Sequence, residues 1–196
     1  MATVGVLALQ GDYERHVRAL EAAGAHAIVE VRTAGELDQT DGLVVPGGES
    51  TTMLKLLHRE KLFAPLQEYG QRKPVFGTCA GAILLAKQVF SPEQESLGFL
   101  DISIERNAYG RQLDSRVVQL GGDDLDPGVA EEGGPVEAVF IRAPIIRGTG
   151  EGVRVLAQYQ GNPVLVEQDR HLVATFHPEL TQDARVHRYF LRKLAL

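Results

Sequence analysis

Residues 3–9 form an unbroken apolar run, the pattern of a strand covered on both faces. Gln10-Gly11-Asp12 follows as a turn, with Asp12 placed to cap a helix. Residues 13–23 then repeat at helical spacing, with Val17, Leu20 and Ala23 on one face, and Gly24 ends the run. Residues 27–31 and 43–45 read as further strands. The second leads into Pro46-Gly47-Gly48-Glu49-Ser50, where Ser50 can cap a helix carrying Met53, Leu54, Leu56 and Leu57. Residues 62–69 read as another helix, Val75-Phe76 as a fourth strand, and residues 80–88 as a helix beyond it. Such alternation predicts a mostly parallel sheet with helices on both faces.

The pattern then changes. Residues 102–120 alternate in polarity, as antiparallel strands do. Residues 121–135 are acidic and rich in glycine, with Asp123, Asp124, Asp126, Glu131 and Glu132, and read as an exposed loop. Residues 139–142, 153–158, 164–168 and 172–176 read as strands. Residues 181–194 read as a closing amphipathic helix with Val186, Phe190 and Leu194 on one face. No repeat or linker interrupts the 196 residues, so residues 1–196 are expected to form a single domain.

Composition narrows the function. At 44% hydrophobic and 23% charged residues the chain has the makeup of an ordered globular protein. A net charge of −6 argues against nucleic acid, whose phosphates require a basic field. No apolar run is long enough to span a bilayer, and the first residues read as a strand and not as a signal peptide. One cysteine cannot form an internal disulfide, so a cytoplasmic location is expected.

That cysteine stands in Pro74-Val75-Phe76-Gly77-Thr78-Cys79-Ala80-Gly81. Apolar strand, small residues two before and two after, and apolar helix together form the layout of a nucleophile elbow. The plain alternative is a buried packing residue. A reactive thiol needs a base. His16, His26, His58 and His187 lie among charged neighbours on or near helices and read as solvated. His171, after Asp169-Arg170, reads as turn surface. His177 differs, because it follows the apolar run of residues 172–176, and sites gather at the C-terminal ends of parallel strands. Pro178 favours extended backbone at His177, which would let Glu179 orient the ring as the third member of a triad. Read alone, His177-Pro178-Glu179 is a strand end with a capping Glu; beside the cysteine elbow, the triad is the better reading.

Acyl chemistry also needs oxyanion donors. The Ala80 amide and the Gly47-Gly48 pair are candidates. A phosphate-binding loop is the rival for the glycines, but the G-K-[ST] ending is missing. Arg106 and Arg142 stand in polar segments beside apolar strands, where they could bind a carboxylate or simply form surface ion pairs.

Taken together these segments resemble class I (triad) glutamine amidotransferases, and within them the family of glutaminase subunits of pyridoxal 5′-phosphate synthase. The resemblance runs from Gly5-Val6-Leu7-Ala8-Leu9-Gln10-Gly11 through Pro46-Gly47-Gly48-Glu49-Ser50-Thr51-Thr52-Met53 and Gly77-Thr78-Cys79-Ala80-Gly81. It continues in Arg106-Asn107-Ala108-Tyr109-Gly110-Arg111-Gln112, Phe140-Ile141-Arg142-Ala143-Pro144 and Phe176-His177-Pro178-Glu179-Leu180. It implies a flavodoxin-like three-layer α/β sandwich with an antiparallel addition. It implies Cys79 as nucleophile, His177 as base and Glu179 as its orienter. Gly47, Gly48 and Glu49, with Arg106, Ile141 and Arg142, would line a pocket for L-glutamine, and Gln10 would sit near the oxyanion region. The resemblance further implies ammonia transfer to a synthase subunit in a large hetero-oligomer with one glutaminase per synthase, weak activity before docking, and no cofactor or metal in this chain. Arg116 after Ser115, where the family often has an aromatic residue, and the length of the acidic segment depart from the pattern away from the triad.

Overall fold

A computed structural model describes residues 2–107, 115–131 and 134–194. Of the segments above, Ala108, Tyr109, Gly110, Arg111, Gln112 and Glu132 lie outside the described residues. The strands are β1 (Thr3–Leu7), β2 (Ala27–Val31), β3 (Gly42–Val45), β4 (Val75–Thr78), β5 (Ala86–Phe90), β6 (Leu100–Glu105), β7 (Ser115–Leu120), β8 (Val136–Ile141), β9 (Ile145–Thr149), β10 (Arg154–Tyr159), β11 (Asn162–Gln168) and β12 (His171–Ala174). The helices are α1 (Tyr13–Ala22), α2 (Ala34–Asp38), α3 (Ser50–Arg59), α4 (Phe63–Gly70), α5 (Ala80–Leu85), α6 (Pro127–Ala130) and α7 (Arg185–Lys193). Among the described residues no helix is long and apolar enough to cross a membrane.

The central sheet has the order β10-β11-β12-β4-β3-β1-β2. From β12 to β2 every neighbouring pair is parallel, and β10 and β11 add an antiparallel edge. This is the expected mostly parallel α/β sheet, and the order β2-β1-β3-β4-β12 is the flavodoxin-like one. Both faces are buried, and alternate residues of each strand feed different cores. Leu43, Val45, Val75 and Val173 join one core, under α2 to α5. Val44, Phe76, Leu172 and Ala174 join the other, with Leu20 of α1 and Val186 and Phe190 of α7.

Several local expectations are corrected. Asp12 makes no side-chain cap to α1. Glu49, not Ser50, caps α3, accepting from the Thr51 and Thr52 amides, while the Ser50 hydroxyl donates to Gln94. The helix after Cys79 stops at Leu85, because Ala86–Phe90 peels away as β5 and pairs in parallel with β6. That pairing builds a second sheet, β5-β6-β9, in which β6 and β9 are antiparallel; β7 and β8 form a separate antiparallel pair. The acidic segment is anchored as well as exposed. Leu125 and Val129 are buried, and Arg185 binds the carbonyls of Ala130, Gly134 and Pro135.

The histidines supply the largest correction. His16 and His187 are fully buried and His171 nearly so, stacked on Phe99 with ring centroids 4.9 Å apart. Their charged sequence neighbours point to other faces of the same elements. Burial, with the nearby Arg170 charge, lowers the pKa of His171 to about 4, and burial with His16 lowers His187 to about 3. In the unfolded chain each ring takes a proton below an ordinary value of 6.5; in the folded chain each resists it. Their contribution is therefore complete above pH 6.5 and is lost as pH falls through about 4 and about 3. The melting temperature should fall across this window. His171→Phe keeps the stack on Phe99 without a titrating group, so its melting temperature should fall less between pH 6.5 and 4, which thermal melts across that range will measure.

Candidate active site

Cys79 is held by a backbone that few residues adopt. It sits between β4 and α5 at φ 48° and ψ −102°, a conformation that is strained for any side chain-bearing residue. The surroundings enforce it. A Cβ on Gly77 would lie 2.7 Å from the Gly81 carbonyl group, and a Cβ on Gly81 would collide with the Val45 carbonyl oxygen of β3. The Cys79 amide donates to the Ala174 carbonyl at 2.9 Å, tying the elbow to the end of β12.

This last bond explains how the base arrives. Thr78 pairs with Ala174 in register, so the chain leaving β12 passes beside the elbow and delivers His177 three residues later. The His177 amide donates to the Val139 carbonyl of β8 at 2.8 Å, which fixes that turn. Glu179 lies in a short 3₁₀ turn, Pro178–Leu180, and not on extended backbone as expected; the turn still folds its carboxylate back onto the ring. Glu179 Oε1 lies 2.7 Å from His177 Nδ1. A carboxylate can only accept there, so Nδ1 carries the proton and Nε2 is left for the thiol.

Burial disfavours a charged imidazole at His177, but the hydrogen bonds and charges of Cys79 and Glu179 outweigh it and raise its pKa to about 10. Burial pushes the Glu179 carboxyl up, and the imidazoles of His16 and His177 more than reverse this, to about 2. The unit therefore stabilises a protonated ring between the Glu179 carboxylate and the sulfur, so that His177 can hold the proton that leaves Cys79.

The residues predicted from sequence converge on one cleft of about 550 Å³, room for an amino acid. Gly47, Gly48, Glu49, Cys79, Ala80, Arg106, Ile141, Arg142 and His177 all border it, as does Gln10; Glu179 stands behind His177. Gly47 must be glycine, since a Cβ there would lie 2.6 Å from His177 Cε1 and 3.4 Å from Cys79 Cβ. Gly48, at φ 144°, packs against the Gln10 side chain. Oriented by its surroundings, the Gln10 amide oxygen accepts from the Glu49 and Gly11 amides at 3.1 and 3.3 Å, pinning the glycine loop to the first strand–helix turn. Arg106 donates to the Thr51 hydroxyl at 2.7 Å and lies 3.7 Å from Glu49, while its buried Nε has no partner among the described residues. Its side chain lines the cleft, where a guanidinium suits a ligand carboxylate.

Sequence reasoning missed the layer behind Glu179. His16 of α1, Thr78 of β4 and His187 of α7 meet there. The signal was present: His16 is one turn before buried Leu20, and His187 one turn before buried Phe190, each on the apolar stripe of its helix.

The chain is similar to known proteins over almost its whole length. The model of the SNO glutamine amidotransferase family matches residues 6–196. A relative from Solibacter usitatus, named pyridoxal 5′-phosphate synthase subunit PdxT, is 62% identical over 99% of this chain and all of its own length. A protein of the same name from Brevibacillus brevis is 50% identical over 96% of this chain and 95% of its own. A crystal structure of a glutamine amidotransferase superimposes with a TM-score of 0.87 at 46% identity, covering 99% of this chain and 100% of that one.

If Glu179 orients His177 to take the Cys79 proton, Glu179→Gln should slow alkylation of Cys79 by iodoacetamide at pH 7. The expected loss is about tenfold or more, since a positioned base contributes at least that much to reactions of this kind. Gly47→Ala should slow it too, by displacing the imidazole. Labelling kinetics followed by intact mass will measure both.

Proposed function

Because the chain belongs to the SNO glutamine amidotransferase family, we propose that it is a glutaminase subunit of pyridoxal 5′-phosphate synthase. It hydrolyses L-glutamine to L-glutamate and ammonia and passes the ammonia to a synthase subunit. The carrying observation is the Cys79–His177–Glu179 unit at the floor of an amino-acid-sized cleft bordered by Gly47, Gly48 and Arg106.

The chemistry follows from these positions. Glutamine lies with its carboxylate towards Arg106 and Arg142 and its side-chain amide over Cys79, with Ile141 against its stem. The Cys79 thiol gives its proton to His177 Nε2, and the sulfur forms a bond to the amide carbon. The carbonyl oxygen becomes an oxyanion, stabilised by the Ala80 amide and by N–H groups of Gly47 and Gly48. As the tetrahedral centre collapses, the carbon–nitrogen bond breaks and His177 returns the proton to the departing nitrogen, giving ammonia and a thioester. Water then attacks the thioester with His177 as base. The carbon–sulfur bond breaks, the proton returns to sulfur, and glutamate leaves. Glu179 keeps Nδ1 protonated throughout and stabilises the imidazolium without touching the substrate. One water is consumed, one ammonia is released, and neither a metal nor a cofactor enters the steps.

In this reading residues 1–196 act as one glutaminase domain in the cytoplasm. The partner is the synthase subunit of a large hetero-oligomer, with one glutaminase per synthase, and neither nucleic acid nor membrane takes part. Gln10, bonded to the glycine loop, lies where docking could adjust the oxyanion donors, so the isolated chain is expected to be slower than the docked one.

With its synthase subunit present, the protein should release ammonia and glutamate in equal amounts from glutamine, and more slowly alone. Cys79→Ala should reduce both products to background. Ammonia release by the Cys79→Ala protein, or peptide cleavage in place of glutamine hydrolysis, would sink the assignment.

A further inference from the structure

The triad carboxylate has a second face that the mechanism above does not use. Glu179 Oε1 is bonded to His177, but Oε2, fully buried, meets no hydrogen bond of good geometry among the described residues. His16 Nε2 lies 3.4 Å from it. The same nitrogen lies 3.1 Å from the Thr78 hydroxyl, on the residue before the nucleophile. On the other side of the ring, His16 Nδ1 lies 3.0 Å from Nε2 of His187, whose own Nδ1 has no partner among the described residues.

Counting protons fixes the tautomers. If His16 carried its proton on Nδ1, it would donate to His187 Nε2, and His187 would then hold a buried, unpaired N–H. His16 Nε2 would also turn a lone pair towards a carboxylate. If both rings are protonated on Nε2, His187 donates to His16, and His16 presents its N–H towards Thr78 Oγ1 and Glu179 Oε2. Only an acceptor, His187 Nδ1, is then left unpaired. The second arrangement costs less, because a buried unpaired donor is the rarer and more expensive defect. The groups facing His16 are Glu179 and His177 from beyond β12, Asp12 from the start of α1 and His187 from α7. Burial keeps the His16 ring below its ordinary pKa, against the pull of Glu179, so the contact joins a neutral imidazole to a carboxylate.

Two fully buried histidines are an expensive way to fill a core that aliphatic side chains could fill. Among the described residues no group of three or more His, Cys, Asp or Glu is arranged to hold a metal. We propose that His16 is a positioning residue for the triad, its Nε2–H held towards the second oxygen of Glu179 by His187, so that the carboxylate keeps Oε1 aligned on His177. The chain His187–His16–Glu179–His177–Cys79 then runs from α7 and α1 to the nucleophile. His16 acts through Glu179 and does not touch the substrate. The inference rests on the glutaminase reading above for its kinetic readout.

The test compares wild type, His16→Phe and His16→Gln, each with the synthase subunit and glutamine. His16→Phe keeps a ring but removes both nitrogens; His16→Gln can return an N–H near the position of Nε2. The expected result is a kcat for His16→Phe lower by about 10–100-fold, the usual effect of removing a group that orients a reacting one. KM for glutamine should be unchanged, iodoacetamide labelling of Cys79 slower, and His16→Gln substantially restored. A folded His16→Phe protein with wild-type kcat and labelling rate overturns the inference, as does His16→Gln impaired as badly as His16→Phe. Wild type that turns over no glutamine overturns the glutaminase reading instead, and the labelling rates of the two variants still decide the role of His16. Should His16→Phe fail to fold, nitrogen-15 spectra of histidine-labelled wild type decide it. Nε2–H tautomers at His16 and His187 support the relay, and an Nδ1–H tautomer at His16 overturns it.

Discussion

The strained turn at Cys79 is the constraint from which the site follows. A side chain-bearing residue at φ 48° persists only where the structure around it forbids relaxation. Here Gly77 and Gly81 let β4, α5 and the Val45 carbonyl approach more closely than any larger residue would allow. The amide bond from Cys79 to Ala174 closes the other side. The sulfur is thus held at the C-terminal edge of β4, whose neighbours β3 and β12 run parallel to it. Their chains exit on the same edge, so β3 brings Gly47 and Gly48, and β12 brings His177, to the thiol. The parallel sheet order is what makes residues more than a hundred positions apart into one site.

Electrostatics sets the second requirement. A buried carboxylate, an imidazolium and a thiol are tolerable together only when each satisfies another. Glu179 holds Nδ1 of His177, the thiol takes the opposite side of the ring, and His16 and His187 fill the space behind the carboxylate with oriented N–H groups in place of hydrocarbon. The arrangement gives up some core stability for a fixed proton order, as reacting centres in folded proteins commonly do.

Much of this was legible in the chain. Gly77 and Gly81 flank Cys79 because the elbow is cramped, and cramped turns leave a local trace. His177 follows an apolar strand and Glu179 stands two positions on, so their pairing was readable, although Glu179 reaches the ring from a 3₁₀ turn. The glycine pair was readable as a candidate because it follows a strand end; Arg106 and Arg142 read equally as surface ion pairs, and only the family resemblance points them to the pocket. Pairing between distant segments was less legible. Ala86–Phe90 continues an apolar helical run, and only its partner β6 makes it a strand. β9 likewise exists through β6. Adjacent charges do not describe the surroundings of His16, His171 and His187. On a helix the neighbours that matter are one turn away, and there stand Leu20 and Phe190.

The central claim is that Cys79 forms a covalent bond with the side-chain carbon of glutamine. A γ-diazoketone analogue of glutamine, which alkylates a thiol held at that position, tests it directly by intact mass and peptide mapping in the presence of the synthase subunit. The account predicts one adduct per chain, on Cys79, slowed by excess glutamine. An adduct confined to another residue, or no adduct while glutamine is still being hydrolysed, would contradict it.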